Sequence, residues 1–327
     1  MVYTDRIYGK IEIKEPVILE LIESPSLQRL KGLPQLGYTR VYFPKVSHTR
    51  FEHSLGVFIL LKKFNASLEE QIAGLIHDVS HTAFCHMGDY IFDSGSETKH
   101  TFQDIIFKEF VKKTEIPETL RKFNFNLDYI LNEKNFPLKE RSLPGLCADR
   151  IDYFLRDGFM FGKLTKKGIK EFLSNLEIYR NRWIFKDFKI AKRFAKEYLL
   201  LNNLYWASQE AGVMFKTIGE TIKHSLFNGY LKEEDVFTTD REVLEKLKKL
   251  KNKDKTFNLL LKRMQGKVKW KLDKRNYDVK VKVKSRVVDP LIKLNKNLKR
   301  LSEIDKDYQK LMFKNLSPKE YCIKFER

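Results

Sequence analysis

Of the seven histidines in this chain, six (His48, His53, His77, His81, His86 and His100) fall in one stretch, and one of them is followed directly by an aspartate, in GLIHDVSHTAFCHMGD. The imidazole of His77 and the carboxylate of Asp78 offer a nitrogen and an oxygen to one divalent cation if other elements supply the rest. His53 is the natural third ligand. A fourth, a carboxylate, can come from LCADRIDYFLRD, where Asp149, Asp152 and Tyr153 share one helical side and Asp157 follows. Such a site is mixed nitrogen and oxygen, with positions left for water. A lone inward histidine is usually a satisfied core residue. Here His81 and His86 follow within one loop, and a packed core has little use for further polar rings that each need partners. The cysteines Cys85, Cys147 and Cys322 are far apart and form no CxxC pair, so neither a disulfide framework nor a thiolate zinc site is encoded.

Helices must hold these residues. RFEHSLGVFILLKKF places His53, Gly56, Val57 and Leu60 on one helical face, and SLEEQIAGLIHD is a second helix opened by Ser67, with Glu69 and Glu70 in its first turn. Upstream, IYGKIEI alternates around Gly9 as a small hairpin would, and PVILELIESPSLQRLKGL reads as two helices broken at Pro25. The helical pattern persists from 100 to 235. Beyond it the period changes to 2. KVKWKL (267–272) and DVKVKVKSRVV (278–288) alternate lysine with apolar residues, and are expected to pair as a hairpin with Lys267, Lys269, Lys271, Lys280, Lys282 and Lys284 on one face. There is no internal repeat, low-complexity linker or Gly-rich phosphate loop.

Charge is unevenly placed. Residues 1–160 carry 21 Lys and Arg against 22 Asp and Glu; residues 161–327 carry 42 against 21, and 18 of those basic residues lie in 251–300. This marks a polyanion-facing surface or a domain boundary. The lysine face reads equally as a solvated edge that keeps strands from aggregating. At 327 residues and 42% hydrophobic, the chain can bury a real core. Its longest early apolar run, VFILL, is far too short to span a bilayer, so a cytoplasmic protein with no membrane partner is expected.

Three separated segments, SPSLQRLKGLPQLGYTRVYFPKVSHTRFEHSLGV, QIAGLIHDVSHTAFCHMGDYIF and ADRIDYFLRDG, resemble in order and spacing the HD-domain phosphohydrolases. The branch they resemble is that of the deoxynucleoside triphosphate triphosphohydrolases. The resemblance covers roughly residues 1–230. It implies a mainly α HD fold with a small N-terminal β-ribbon, occupying 1–230, followed by a basic α+β region over 231–327 that contains the Lys-rich hairpin. It also implies one divalent metal (manganese, iron, zinc, cobalt, nickel or magnesium) on His53, His77, Asp78 and Asp149, with further magnesium arriving on the nucleotide. His81, His86 and His100 match catalytic histidines behind the metal, His86 being the general acid with Asp89 to orient it. Arg50 and Arg150 match phosphate contacts. Tyr153, Asp157, Gln35 and Leu36 match sugar contacts, and Lys216 matches a triphosphate contact. The branch usually carries an Arg, a Tyr and a His where this chain has Tyr205, Val213 and Phe215, which makes the pocket more apolar.

The expected activity is hydrolysis of (deoxy)nucleoside triphosphates to nucleoside and inorganic triphosphate by a metal-activated water. Nucleoside monophosphates or another phosphoester are the alternative substrates. A different class of function is a nucleic-acid-binding protein whose HD site is inactive or only senses a nucleotide. The resemblance further implies a homo-oligomer, dimer or tetramer, with a nucleotide effector or nucleic acid at the basic C-terminal region.

Overall fold

The computed structural model describes residues 1–250, 252–294 and 297–326. Its first element is the expected ribbon: β1 (Val2–Asp5) pairs antiparallel with β2 (Gly9–Glu12), and Gly9 enters β2 at φ +78°, where a side chain would be strained. The turn between them is closed by Asp5, whose carboxylate accepts the N–H groups of Ile7 (2.7 Å) and Tyr8 (3.0 Å). Helices Pro16–Glu23 and Pro25–Arg29 follow, each with proline in its first turn, where a missing N–H costs nothing.

Helix Arg50–Lys63 starts from a reciprocal cap in which Thr49 accepts the Glu52 N–H and Glu52 accepts the Thr49 N–H. Helix Leu68–Ile76 is capped by Ser67, and helix Ala148–Met160 carries Asp149 in its first turn, where the positive end of the helix favours a carboxylate. The first of these packs against the other two. Around them lie two apolar clusters. One runs from Ile13 through Phe58, Ile76 and Met214 to Phe325; the other runs from Val57 through Phe154, Phe194 and Ile292 to Met312. Both take side chains from beyond residue 231. The chain is thus mainly α with minor β elements. No helix among the described residues is long and apolar enough to cross a membrane.

The C-terminal strands correct one expectation. The Lys-rich segments form β5 (Trp270–Leu272) and β6 (Val279–Val283), but the two do not pair as a hairpin: β9 (Lys319–Phe325) lies between them, antiparallel to both. A bare hairpin would set like charges on facing strands with nothing between them. The inserted strand brings Glu320 within 2.8 Å of Lys280 on the outer face and sets Ile323 opposite Val279 on the inner one. The lysines are dispersed accordingly. Lys280 and Lys282 are exposed, while Lys284, just past β6, turns inward. A second sheet, of order β3-β4-β7-β8, comprises β3 (Leu176–Ile178), β4 (Trp183–Phe185), β7 (Leu291–Leu294) and β8 (Asn297–Arg300). Residues 284–290 therefore cross from one sheet and one apolar cluster to the other.

Candidate metal centre and anion-facing cleft

His53 lies in the first turn of helix Arg50–Lys63, His77 caps the end of Leu68–Ile76, and Asp149 opens Ala148–Met160; the helix packing brings their donor atoms within 4.8 Å of one another. His53 Nε2 stands 3.0 Å from Asp149 Oδ1, and His77 Nε2 stands 3.6 Å from the same oxygen and 3.3 Å from Asp78 Oδ1. The four residues expected to hold a metal thus converge.

The chemistry of the donors fits a cation. His77 Nδ1 donates to the Gly74 carbonyl (2.8 Å) and His53 Nδ1 donates to Asp152 Oδ2 (2.7 Å), which leaves both Nε2 atoms facing the carboxylates, where each can take a cation or a proton. His77 Nε2 is buried and has no hydrogen-bond partner among the described residues. Burial would depress His53, yet hydrogen bonds to Asp149 and Asp152 outweigh it and push it up to about 10. These carboxylates call for positive charge between them. Behind His53, Asp152 is held by Arg156 (2.9 and 3.1 Å), which also pairs with Asp5 (3.1 Å), all three fully or nearly fully buried. Gly56 makes room for this: a Cβ there would stand 2.0 Å from Asp152 Oδ1 and 2.1 Å from Arg156 Nη2.

Asp78 carries a second connection. Its Oδ2 accepts from Arg50 Nη1 (2.6 Å), and its Oδ1 lies 3.2 Å from His81 Nε2. Burial would raise its carboxyl, but Arg50, His77 and His81 hold it well below the usual range. Arg50 also contacts the Cys85 thiol. The loop beyond is tightly wound, with Phe84, Cys85 and His100 at φ +59°, +69° and +52°, left-handed values that cost energy for residues with a Cβ. It gathers the remaining rings: His86 sits 5.0 Å from His81 and 4.4 Å from His100 between centroids. Burial and nearby cations keep all three imidazoles neutral, His81 falling to about 4 and His86 and His100 lying well below their ordinary value. Asp89 Oδ2 is 3.8 Å from His86 Nδ1, while its Oδ1 accepts the N–H groups of Ser96, Thr101 and Phe102 at 2.8–3.0 Å.

Most of the other expected contacts line the same cavity: Gln35, Leu36, Arg50, Arg150, Tyr153 and Asp157. Gln35 Oε1 is buried without a hydrogen-bond partner among the described residues. Asp157 accepts from Trp206 Nε1 (2.7 Å), with His48 Nε2 at 2.8 Å from its other oxygen, and Tyr153 meets Tyr198 hydroxyl to hydroxyl. Arg150 is turned towards Glu140 (2.9 Å) and the Arg141 carbonyl. Lys216 is not brought to the cavity; it faces Glu220 at 3.8 Å on its own helix, and Phe215 takes the lining position. Tyr205 stacks on Phe161 at 3.4 Å between centroids.

Sequence reasoning did not place Lys284 and Arg286 here. Both reach the cavity from the segment after β6, and Arg286 Nη2 donates to His100 Nδ1 at 3.2 Å. The signal was present in KSRVV, but the lysine–valine alternation assigned Lys284 to a strand face.

A centre that seeks a cation, opening onto a wall of cations and neutral imidazoles, defines the metal-dependent phosphohydrolase class. The HD domain family model matches residues 50–157, which contain every residue of that centre. Over 313 residues the chain is 35% identical to the uncharacterized protein YdhJ of Bacillus subtilis, covering 95% of this chain and 94% of that one. It is 33% identical to the metal-dependent phosphohydrolase cns2 of Cordyceps militaris over 224 residues, 67% of this chain and 64% of the relative. Against the deoxynucleoside triphosphate triphosphohydrolase SAMHD1 of Danio rerio it is 29% identical over 221 residues, 53% of this chain and 35% of the relative. The chain belongs to the HD-domain phosphohydrolase superfamily.

Proposed function

We propose that this chain hydrolyses (deoxy)nucleoside triphosphates at the α-phosphate, releasing nucleoside and inorganic triphosphate. The observation that carries the reading is the convergence of His53, His77, Asp78 and Asp149 at one end of a cavity that also holds Arg50, His81, His86 and His100. The name of the SAMHD1 relative supports the choice of substrate. A divalent cation on the four ligands supplies charge neutralisation at the phosphoryl oxygens and a water of lowered pKa.

The protein's own groups do the rest. Arg50, fixed by its bond to Asp78, presents its guanidinium to the phosphoryl oxygens. Water adds its oxygen to the α-phosphorus and gives up one proton to solvent; as the bond between that phosphorus and O5′ breaks, the sugar oxygen takes a proton from His86. Burial, the neighbouring rings and nearby arginines hold His86 well below its ordinary value; a bound polyphosphate raises its affinity for that proton, and Asp89 Oδ2, without a hydrogen-bond partner among the described residues, faces it to steady the imidazolium. Gln35, Tyr153 and Asp157, which line the cavity, contact the sugar. On the same resemblance the working form is a homo-oligomer.

Phosphorus NMR of the purified protein with manganese and each of the four deoxynucleoside triphosphates tests this, beside an Asp78→Ala control. Inorganic triphosphate is expected from the intact protein alone. Turnover of monophosphates or generic phosphoesters without any of triphosphates would keep the metal site and overturn the substrate. A fully metal-loaded protein that hydrolyses no phosphoester would overturn the reading as a whole.

A further inference from the structure

Two cations in the cleft have no carboxylate within ion-pair distance among the described residues. Lys284 and Arg286 are both partly buried and line the cavity, yet neither forms an ion pair among the described residues. Arg286 donates to a neutral imidazole, His100, and Lys284 makes no side-chain hydrogen bond among them. Taking a cation out of water without a counter-ion is costly, and the cost is compounded when two stand together. Burial, Arg286 and Arg150 together depress Lys284 to about 8, against the opposing attraction of Asp104 and Glu140, which line the same cavity.

The segment is also held rigidly. Asn202, fully buried, donates through Nδ2 to Ser285 Oγ (3.1 Å) and accepts the Arg286 N–H on Oδ1 (2.7 Å), while Ser285 Oγ donates to the Asn315 carbonyl (2.7 Å). The backbone is thereby clamped between the two side chains. Charged groups fixed at such a cost are arranged for an anion that arrives. The nearby group His86, Asp89 and His100 has the spacing of a cation site. Its setting argues otherwise, because Arg286 lowers His86 and His100 and Lys284 lowers His100.

We propose that Lys284 and Arg286 grip the phosphates beyond the scissile one, so that the segment after β6 makes the cleft selective for polyphosphate esters over monophosphate esters. This deepens the proposed phosphohydrolase reading and rests on it for the position of the scissile phosphate. Arg50 and the metal ligands address one phosphoryl group; the two C-terminal cations address the rest of the chain of phosphates.

The test compares Lys284→Gln, Arg286→Gln and Arg286→Lys with the unaltered protein. Isothermal calorimetry measures binding of inorganic triphosphate and of orthophosphate, and kinetics give the ratio of kcat/KM on a deoxynucleoside triphosphate to that on p-nitrophenyl phosphate. Each Gln variant is expected to weaken triphosphate binding tenfold or more and to lower the ratio tenfold, mainly through KM, with Arg286→Lys recovering most of the loss. An equal loss on both substrates, or a fall in kcat with unchanged triphosphate binding, would show that Arg286 only positions His100 and would overturn the proposal. Unchanged binding and ratio in both Gln variants would do the same. Triphosphate binding that depends on both residues in a protein that hydrolyses no phosphoester would instead sink the catalytic reading and leave the anion grip standing.

Discussion

Asp152 touches no expected substrate position, yet it fixes the orientation of the His53 ring by holding Nδ1. By accepting from Nδ1 at 2.7 Å it turns Nε2 towards Asp149, 3.0 Å away. Groups that orient a metal-binding imidazole in this way are typically worth 10- to 100-fold in metal affinity. Asp152→Asn is therefore expected to weaken metal binding by about that factor, read by competition with a chelator, while far-UV circular dichroism stays unchanged. Affinity equal to that of the unaltered protein would remove Asp152 from this role. The residue was visible in the sequence as one of three aspartates in LCADRIDYFLRD, but spacing alone could not separate a ligand from the group behind it. Only the helix packing around Gly56 shows Asp149 in front of His53 and Asp152 behind it.

Helices were legible from local signals because their faces and caps are local: the Ser67 cap, the break at Pro25 and the inward face of His53 and Gly56 all stand where the residues indicate. Strand partners were not, since β9 meets β5 and β6 across long stretches of chain and period-2 alternation says nothing about which strand lies alongside. The same limit hid Lys284 and Arg286, whose position depends on Asn202, over eighty residues upstream. Asn202 opens a short π-helical turn, Asn202–Trp206, that ends the helix Phe188–Leu201. Asn202→Ala leaves Ser285 and the Arg286 N–H short of a buried partner, at a cost of about 1–3 kcal/mol. Urea denaturation is expected to show that loss; an unchanged midpoint would mean the segment is held by other contacts.

Residues beyond 231 are joined to the histidine loop as well as to the sheets. The Ala83 N–H donates to the Val236 carbonyl (2.7 Å), the Phe84 N–H donates to Asp240 Oδ1 (2.7 Å), and Arg29 donates to the carbonyls of Val79, His81, Phe237 and Thr238. Asp240 is buried, and that burial raises its carboxyl to about 7. An acid whose folded value lies above its unfolded one favours the folded state only while protonated. Its contribution is intact below about pH 4 and is lost as pH rises to about 7. Asp240→Asn keeps an acceptor for Phe84 and cannot ionise, so its stability relative to the unaltered protein should grow across that window, by on the order of 2 kcal/mol. Thermal melts at pH 4.5 and 7.5, as order-of-magnitude choices bracketing the transition, check this; a difference independent of pH would contradict it. The place of β9 between β5 and β6 also has a meaning in time. On the ribosome the histidine cluster emerges first, and β5 and β6 leave the exit tunnel before the strand that joins them. During that interval the segment carrying Lys284 and Arg286 has no paired sheet behind it, whereas His53, His77, Asp78 and Asp149 have all emerged.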